Sequence, residues 1–186
     1  MSALTIYNEN ASIDTATTTN FDIINELLAN IGVQFERWAS DEIVLDDANS
    51  DTILAAYSNA IACLNAQYGF QSVDVIHLNS DHTDKTAIRQ KFLAEHTHDD
   101  FEIRFFVRGC GLFYLHLADK VYLVLCEQGD LISVPANTKH WFDLGTEPTL
   151  TAIRLFTTTD GWVADFTGDN LTTLFPSLMD YQQELV

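Results

Sequence analysis

The stretch EHTHDDFEIRFF, residues 95–106, sets two imidazoles one residue apart, follows them with two carboxylates, and then places a glutamate and an arginine inside an apolar run. In extended chain, residues two apart point to the same side at roughly 6.6 Å along the strand, so His96 and His98 can converge on one point. Metal–imidazole bonds run at about 2.0–2.1 Å, which makes such a pair a natural pincer for a divalent ion. Glu102 lies four residues past His98, about 13 Å away in extended chain, and joins that point only if the chain turns. Asp99 and Asp100 supply a bend. Beyond it, alternation puts Glu102, Arg104 and Phe106 on one face and Phe101, Ile103, Phe105 and Val107 on the other. Both faces are mostly apolar, so both are expected to be covered. A buried unpaired charge is costly, and Glu102 and Arg104 answer that cost by pairing with each other as readily as by joining a larger site.

A further histidine, His140, stands in GDLISVPANTKHWFDLG, where a Gly-Asp turn leads to a short apolar strand, a Pro-centred turn and a second strand carrying Trp141 and Phe142. Taken alone, a histidine on an apolar strand is more often a hydrogen-bonded core residue than a ligand. Arg104 and Arg154, the latter in TAIRLF, are basic residues in apolar strands of a chain with 9 lysines and arginines against 27 acidic residues. Each is a candidate to neutralise an anionic ligand, with an internal salt bridge as the alternative for Arg154. His77, His82 and His116 match no motif; His82 reads as a loop residue, the other two as strand residues with ordinary hydrogen bonds.

The elements that must position these groups fall into two textures. Residues 21–31 have helical apolar spacing, with Asn20 as N-cap and Gly32 just past the end. Residues 51–68 repeat apolar positions at intervals of three and four and end at Gly69, a C-cap. The spacing predicts a third helix over 83–95, and short strands over 33–38 and 72–78. After residue 100 the texture changes to closely spaced runs at 101–108, 111–117, 120–126, 130–134, 139–144 and 149–157, punctuated by turn residues. Such spacing predicts an antiparallel sandwich or small barrel. TATTTN, residues 15–20, reads as a mobile stretch, and the C-terminal tail as a short helix.

A chain of 186 residues suits one domain, with a helical and strand part over 1–95 and a barrel core over about 96–160. A net charge of −18 repels nucleic acid phosphates and anionic membrane surfaces, and it favours a monomer. Cys63, Cys110 and Cys126 are odd in number and irregularly spaced, which points to buried reduced thiols and a reducing compartment. The first basic residue is Arg37, and no apolar run reaches membrane-spanning length, so the expected location is cytoplasmic.

The string H-x-H-x3-E, followed by a Gly-Asp-strand-Pro segment and a histidine at the next strand, resembles the two motifs of the cupin barrels. EHTHDDFEIRFFVRGCGLFYLHL, CEQGDLISVPANTKHWFDLG and TAIRLF, with GVQFERW and YSNAIACLNAQYGFQSVDVIHL before them, resemble the acireductone dioxygenases of methionine salvage over nearly the whole chain. The resemblance implies a mainly β, α+β fold: an antiparallel cupin barrel of the jelly-roll type with N-terminal helices. It implies His96, His98, Glu102 and His140 as ligands of one iron(II) or nickel(II) ion, Arg104 beside the substrate dianion, and Glu95 in a position linked to metal loading. Phe92, Phe142 and Trp162 would shape a pocket for the methylthio tail. Phe101 departs from the acidic residue of the bacterial members, which puts in doubt any role of that position in passing movement to outer loops.

The implied reaction joins an acireductone and dioxygen. The iron form would give formate and 4-methylthio-2-oxobutanoate, and the nickel form formate, carbon monoxide and 3-methylthiopropionate. The same ligands suit both metals. Two other classes share the four ligands: a different metal-dependent cupin enzyme, and a non-enzymatic cupin that holds a ligand or a structural metal.

Overall fold

The computed structural model describes residues 1–39, 44–45, 47–158 and 163–185. Along the chain come β1 (Ala3–Asn8), β2 (Ile13–Thr18), α1 (Phe21–Ala29), β3 (Gln34–Arg37), α2 (Ser50–Ala56), α3 (Ser58–Tyr68), β4 (Ser72–Leu78) and α4 (Lys85–Leu93). There follow β5 (His96–Thr97), β6 (Glu102–Arg108), β7 (Cys110–Leu117), β8 (Lys120–Glu127), β9 (Asp130–Val134), β10 (Lys139–Asp143), β11 (Leu150–Phe156), β12 (Asp165–Phe166), a 3-10 turn (Leu171–Leu174) and α5 (Leu178–Glu184).

Two antiparallel sheets face each other in a cupin-type mainly β architecture. One runs β12-β5-β10-β7-β8-β1-β2, the other β3-β9-β6-β11-β4. Strands before residue 96 therefore complete both sheets: β1 and β2 extend the first, β3 and β4 edge the second. Between the sheets lies an apolar core that includes Ile6, Phe35, Phe106, Phe113, Phe142 and Ala152. The outer face of the second sheet, with Ile103, Phe105 and Leu155, is covered by Ile53, Tyr57 and Leu64 of the α2–α3 region. The outer face of the first, with Tyr114 and Trp141, is covered by Phe175, Leu178 and Tyr181 near the C-terminus. Both faces of β6 are thus buried from Glu102 to Val107, its Glu102 and Arg104 included.

Local chemistry explains the element ends. Asn20 caps α1 by accepting hydrogen bonds from the Asp22 and Ile23 amides at 3.0 and 3.2 Å. Gly69 closes α3 in the left-handed region at φ 67°. The helix expected over 51–68 is two, because Tyr57, with φ −110° and ψ 14°, leaves helical geometry between α2 and α3. Its ring packs on Phe105 at 4.6 Å, and the apolar row stays continuous across the break, so spacing alone does not register it. The third helix is shorter than expected, since the chain is extended by Ala94.

The stretch 15–20 is not a loose segment: through Thr18 it belongs to β2, paired antiparallel with β1. Its threonines, exposed or half-buried, carry no buried alternation because an edge strand on a sheet surface has little to bury. The three cysteines are free, but they are not all buried: Cys63 is exposed on α3, Cys110 is half-buried and Cys126 is buried. Among the described residues, no helix is long and apolar enough to cross a membrane.

Candidate metal centre

The centre gathers at one end of the space between the sheets. β5 pairs with β10 so that His96 lies directly across from His140. After β5 the chain bends at Asp99 and Asp100. The Asp100 carboxylate fixes the bend by accepting from the Phe101 amide at 2.7 Å and from the Thr157 hydroxyl and amide at 2.6 and 3.0 Å. The turn returns Glu102 to the histidines that an extended chain would leave behind. Its Oε2 lies 3.2 Å from His98 Nε2 and 3.0 Å from His140 Nε2.

His96, His98, Glu102 and His140 are all buried, and one ligand atom from each lies within 4.8 Å of the others. The opposite ring nitrogens share one arrangement. Nδ1 of His96 meets the Ala94 carbonyl at 2.7 Å, Nδ1 of His98 the Val163 carbonyl at 2.9 Å, and Nδ1 of His140 the Thr138 carbonyl at 2.8 Å. A carbonyl only accepts, so each Nδ1 carries a proton, which leaves each Nε2 as the ring atom that can offer a lone pair to a cation. Three such nitrogens and a carboxylate are the donor set of a divalent cation, and the residues fit one.

The electrostatics differ from ring to ring. Burial pushes the His96 imidazolium down, and His140 beside it adds to the effect, lowering the pKa to about 4. Burial acts the same way on His98, but the hydrogen bond and charge of Glu102 outweigh it and raise its pKa. Burial pushes Glu102 up; Arg104, His140 and His98 more than reverse that and hold it well below the usual carboxylate range. Glu102 is therefore an anion at neutral pH.

Arg104 follows on the same inward face of β6. Its Nη2 donates to Glu102 Oε1 at 2.8 Å, and its guanidinium lies over Phe142 at 4.4 Å and Phe113 at 5.2 Å. Arg154 stands across from Arg104 in the β6–β11 register and pairs with Asp74 of β4 through two bonds of 2.8 and 2.6 Å. The salt bridge noted as the alternative for Arg154 is formed, while its side chain also faces the cavity.

That cavity, about 680 Å³, opens beside the four-residue cluster and is lined by both arginines, Phe92 and Phe142. Sequence reasoning did not single out other apolar residues of its wall, among them Ile76 and Leu78 of β4, Ile88 of α4, Phe156 of β11 and Phe166 of β12. The inward alternation of β4 was the available signal. Trp162 lies outside the described residues. Phe101 points away from the centre and packs on Tyr68 at 5.5 Å. Glu95 is buried and reaches His116 Nδ1 at 2.7 Å and the Thr167 hydroxyl at 2.8 Å, while His116 Nε2 lies 2.8 Å from Glu9. His116, expected to have ordinary hydrogen bonds, is held between two carboxylates.

The sequence model of the ARD/ARD' family matches residues 3–164. An acireductone dioxygenase of Methylococcus capsulatus is 55% identical over 97% of this chain and 97% of its own. One from Cronobacter sakazakii is 52% identical over 96% of this chain and 99% of its own. The solved structure of an acireductone dioxygenase from Bacillus anthracis, with a cadmium ion in its active centre, superposes with a TM-score of 0.78 at 33% identity, covering 89% of this chain and 98% of that one. A site of this composition, in a chain matched end to end by such relatives, places the protein in the ARD/ARD' family of acireductone dioxygenases.

Proposed function

We propose that the protein cleaves 1,2-dihydroxy-5-(methylthio)pent-1-en-3-one with dioxygen in methionine salvage. The iron(II) form would give formate and 4-methylthio-2-oxobutanoate, the nickel(II) form formate, carbon monoxide and 3-methylthiopropionate. The observation that carries this reading is the cluster of three outward-tethered imidazoles and Glu102, open to a cavity that also holds Arg104. Held by His96, His98, Glu102 and His140, a divalent ion would supply Lewis acidity and chelating positions for the two oxygens of an enediolate.

The protein's own residues do the rest. Arg104 is fixed by Glu102 and by three aromatic rings, so its positive charge stands ready where an enediolate carries negative charge. Burial lowers its pKa and Glu102 opposes that effect, so the pair keeps the guanidinium a cation in apolar surroundings. Arg154, neutralised by Asp74, adds a second guanidinium to the same wall without adding net charge. Ile76, Leu78 and Phe92 offer apolar surface to a thioether tail and keep water from the reactive end. Glu95 ties the chain ahead of His96 to Thr167 and His116, which suits a role in metal loading.

The test is a product balance on protein loaded with iron or nickel. Oxygen uptake with formate and keto acid in equal amounts for iron, and carbon monoxide only for nickel, is the expected outcome. Substrate loss without oxygen uptake would instead mark a metal-dependent isomerase on the same scaffold.

A further inference from the structure

The pocket has one wall that the barrel itself does not make. Helix α4 contributes Ile88, Lys91 and Phe92 to the cavity. Most helical stability in proteins comes from burying an apolar face, yet in α4 Ile88, Phe92 and Leu93 pack on the core only half-buried, and Asp84 at its start makes no side-chain cap bond. Lys85 reaches Glu147 at 2.7 Å, but that glutamate is largely exposed and such pairs hold little. A directional contact adds to this partial packing.

Arg89 is placed to make that contact. Its Nε and Nη2 donate to the two oxygens of Asp143 at 2.7 and 2.8 Å, a bidentate fork. Asp143 is a rigid anchor: its side chain is 1% exposed, and it also accepts from the amides of Gly145 at 2.8 Å and Leu178 at 3.0 Å. In sequence, Asp143 directly follows Phe142 and lies three residues after His140. On the helix, Arg89 is flanked by Ile88 and followed one turn later by Phe92. The fork therefore joins the strand that carries the site floor to the helix that carries its wall. Across the gap the Phe92 and Phe142 rings stand 6.3 Å apart, and the Arg104 guanidinium lies 5.8 Å from Phe92.

We propose that Arg89, through its fork on Asp143, seats α4 as the wall of the substrate pocket and is thereby a positioning residue for the apolar tail of the acireductone. The assignment of the tail rests on the function proposed above; the seating of the helix does not. Loss of the fork frees α4 to draw away, widening the space beside Phe92 while leaving the four-residue cluster and Arg104 in place.

Arg89→Met is compared with wild type using two acireductones, one with the methylthioethyl tail and one in which the tail is shortened to a methyl. Amide hydrogen exchange over residues 85–93 is followed in metal-free protein. The expected result is a KM raised about tenfold for the tailed substrate, in the range for apolar groups losing a pocket wall. The short substrate keeps its kinetics, metal content stays at the wild-type level, and α4 amides exchange faster while those of α1 do not. Arg89→Lys recovers part of both effects. Should the lone variant fail to fold, with Asp143 left buried without its cation, Arg89→Met with Asp143→Asn removes that buried charge, keeps an oxygen for one of the two amides of Gly145 and Leu178, and reads the same quantities. Equal changes for both substrates, or unaltered α4 exchange in a folded variant, would overturn the proposal. If wild-type protein turns over neither acireductone, the proposed function fails, and the exchange result alone decides whether Arg89 seats the helix.

Discussion

At the scale of single residues, the proposed function divides the centre into groups that would hold a cation and a group that would meet the substrate. His98 and His140 each turn Nε2 inward, and each is fixed at Nδ1 by one carbonyl. Replacing either by alanine removes one of the four proposed ligands, and bound iron and activity are expected to fall together, as metal analysis alongside turnover will show. Arg104 differs, because it touches Glu102 without belonging to the inward donor set. Arg104→Ala should keep the iron yet lower kcat/KM by roughly 100-fold or more, the scale of a lost charge-stabilising donor. Wild-type kinetics in that variant would exclude the role. Arg104→Lys retains the charge but not the planar contact over Phe142, so only partial recovery is expected.

At the scale of elements, close approach and buried charge set the tolerances. A Cβ built on Gly111 of β7 falls 2.1 Å from Cζ of Phe142, a buried ring against which Arg104 rests. Gly111→Ala should therefore cost about 1–3 kcal/mol, by urea unfolding, and reduce activity through the displaced ring. Burial pushes Asp143 up, but Arg89 and the two amides outweigh it and leave its pKa below that of a free aspartate. A carboxyl lowered on folding contributes stability above its unfolded value, and that contribution is lost as pH falls through the folded value. The acid limb of the stability profile below about pH 4 should be shallower in Asp143→Asn, as urea titrations at stepped pH will show.

Much of this architecture was legible in the chain. Alternation in β6 placed Glu102 and Arg104 on one covered face, and Asp99-Asp100 supplied a bend that could bring Glu102 to the histidines. What stayed hidden were features with no periodic signal. The threonine-rich β2 buries nothing that a pattern would mark, the break at Tyr57 leaves the apolar row intact, and Cys63 sits on the exposed side of a helix despite apolar neighbours. The Glu9–His116–Glu95 chain joins residues far apart in sequence, so spacing carries no trace of it.

At the scale of the whole molecule, a charge of −18 works against compactness while a bound cation works for it. Screening this self-repulsion should raise the melting temperature of metal-free protein between low salt and about 0.5 M, read by calorimetry. Iron at about 100 times its dissociation constant should add roughly 2.7 kcal/mol of stability, an increment absent from His140→Ala. The most direct test of the central claim starts from metal-stripped protein, rebuilt anaerobically with iron(II) and then given the acireductone and oxygen. Rapid substrate loss with formate release, dependent on iron and abolished in His98→Ala, is the predicted result. Decay no faster than in buffer, with iron demonstrably bound, would contradict it.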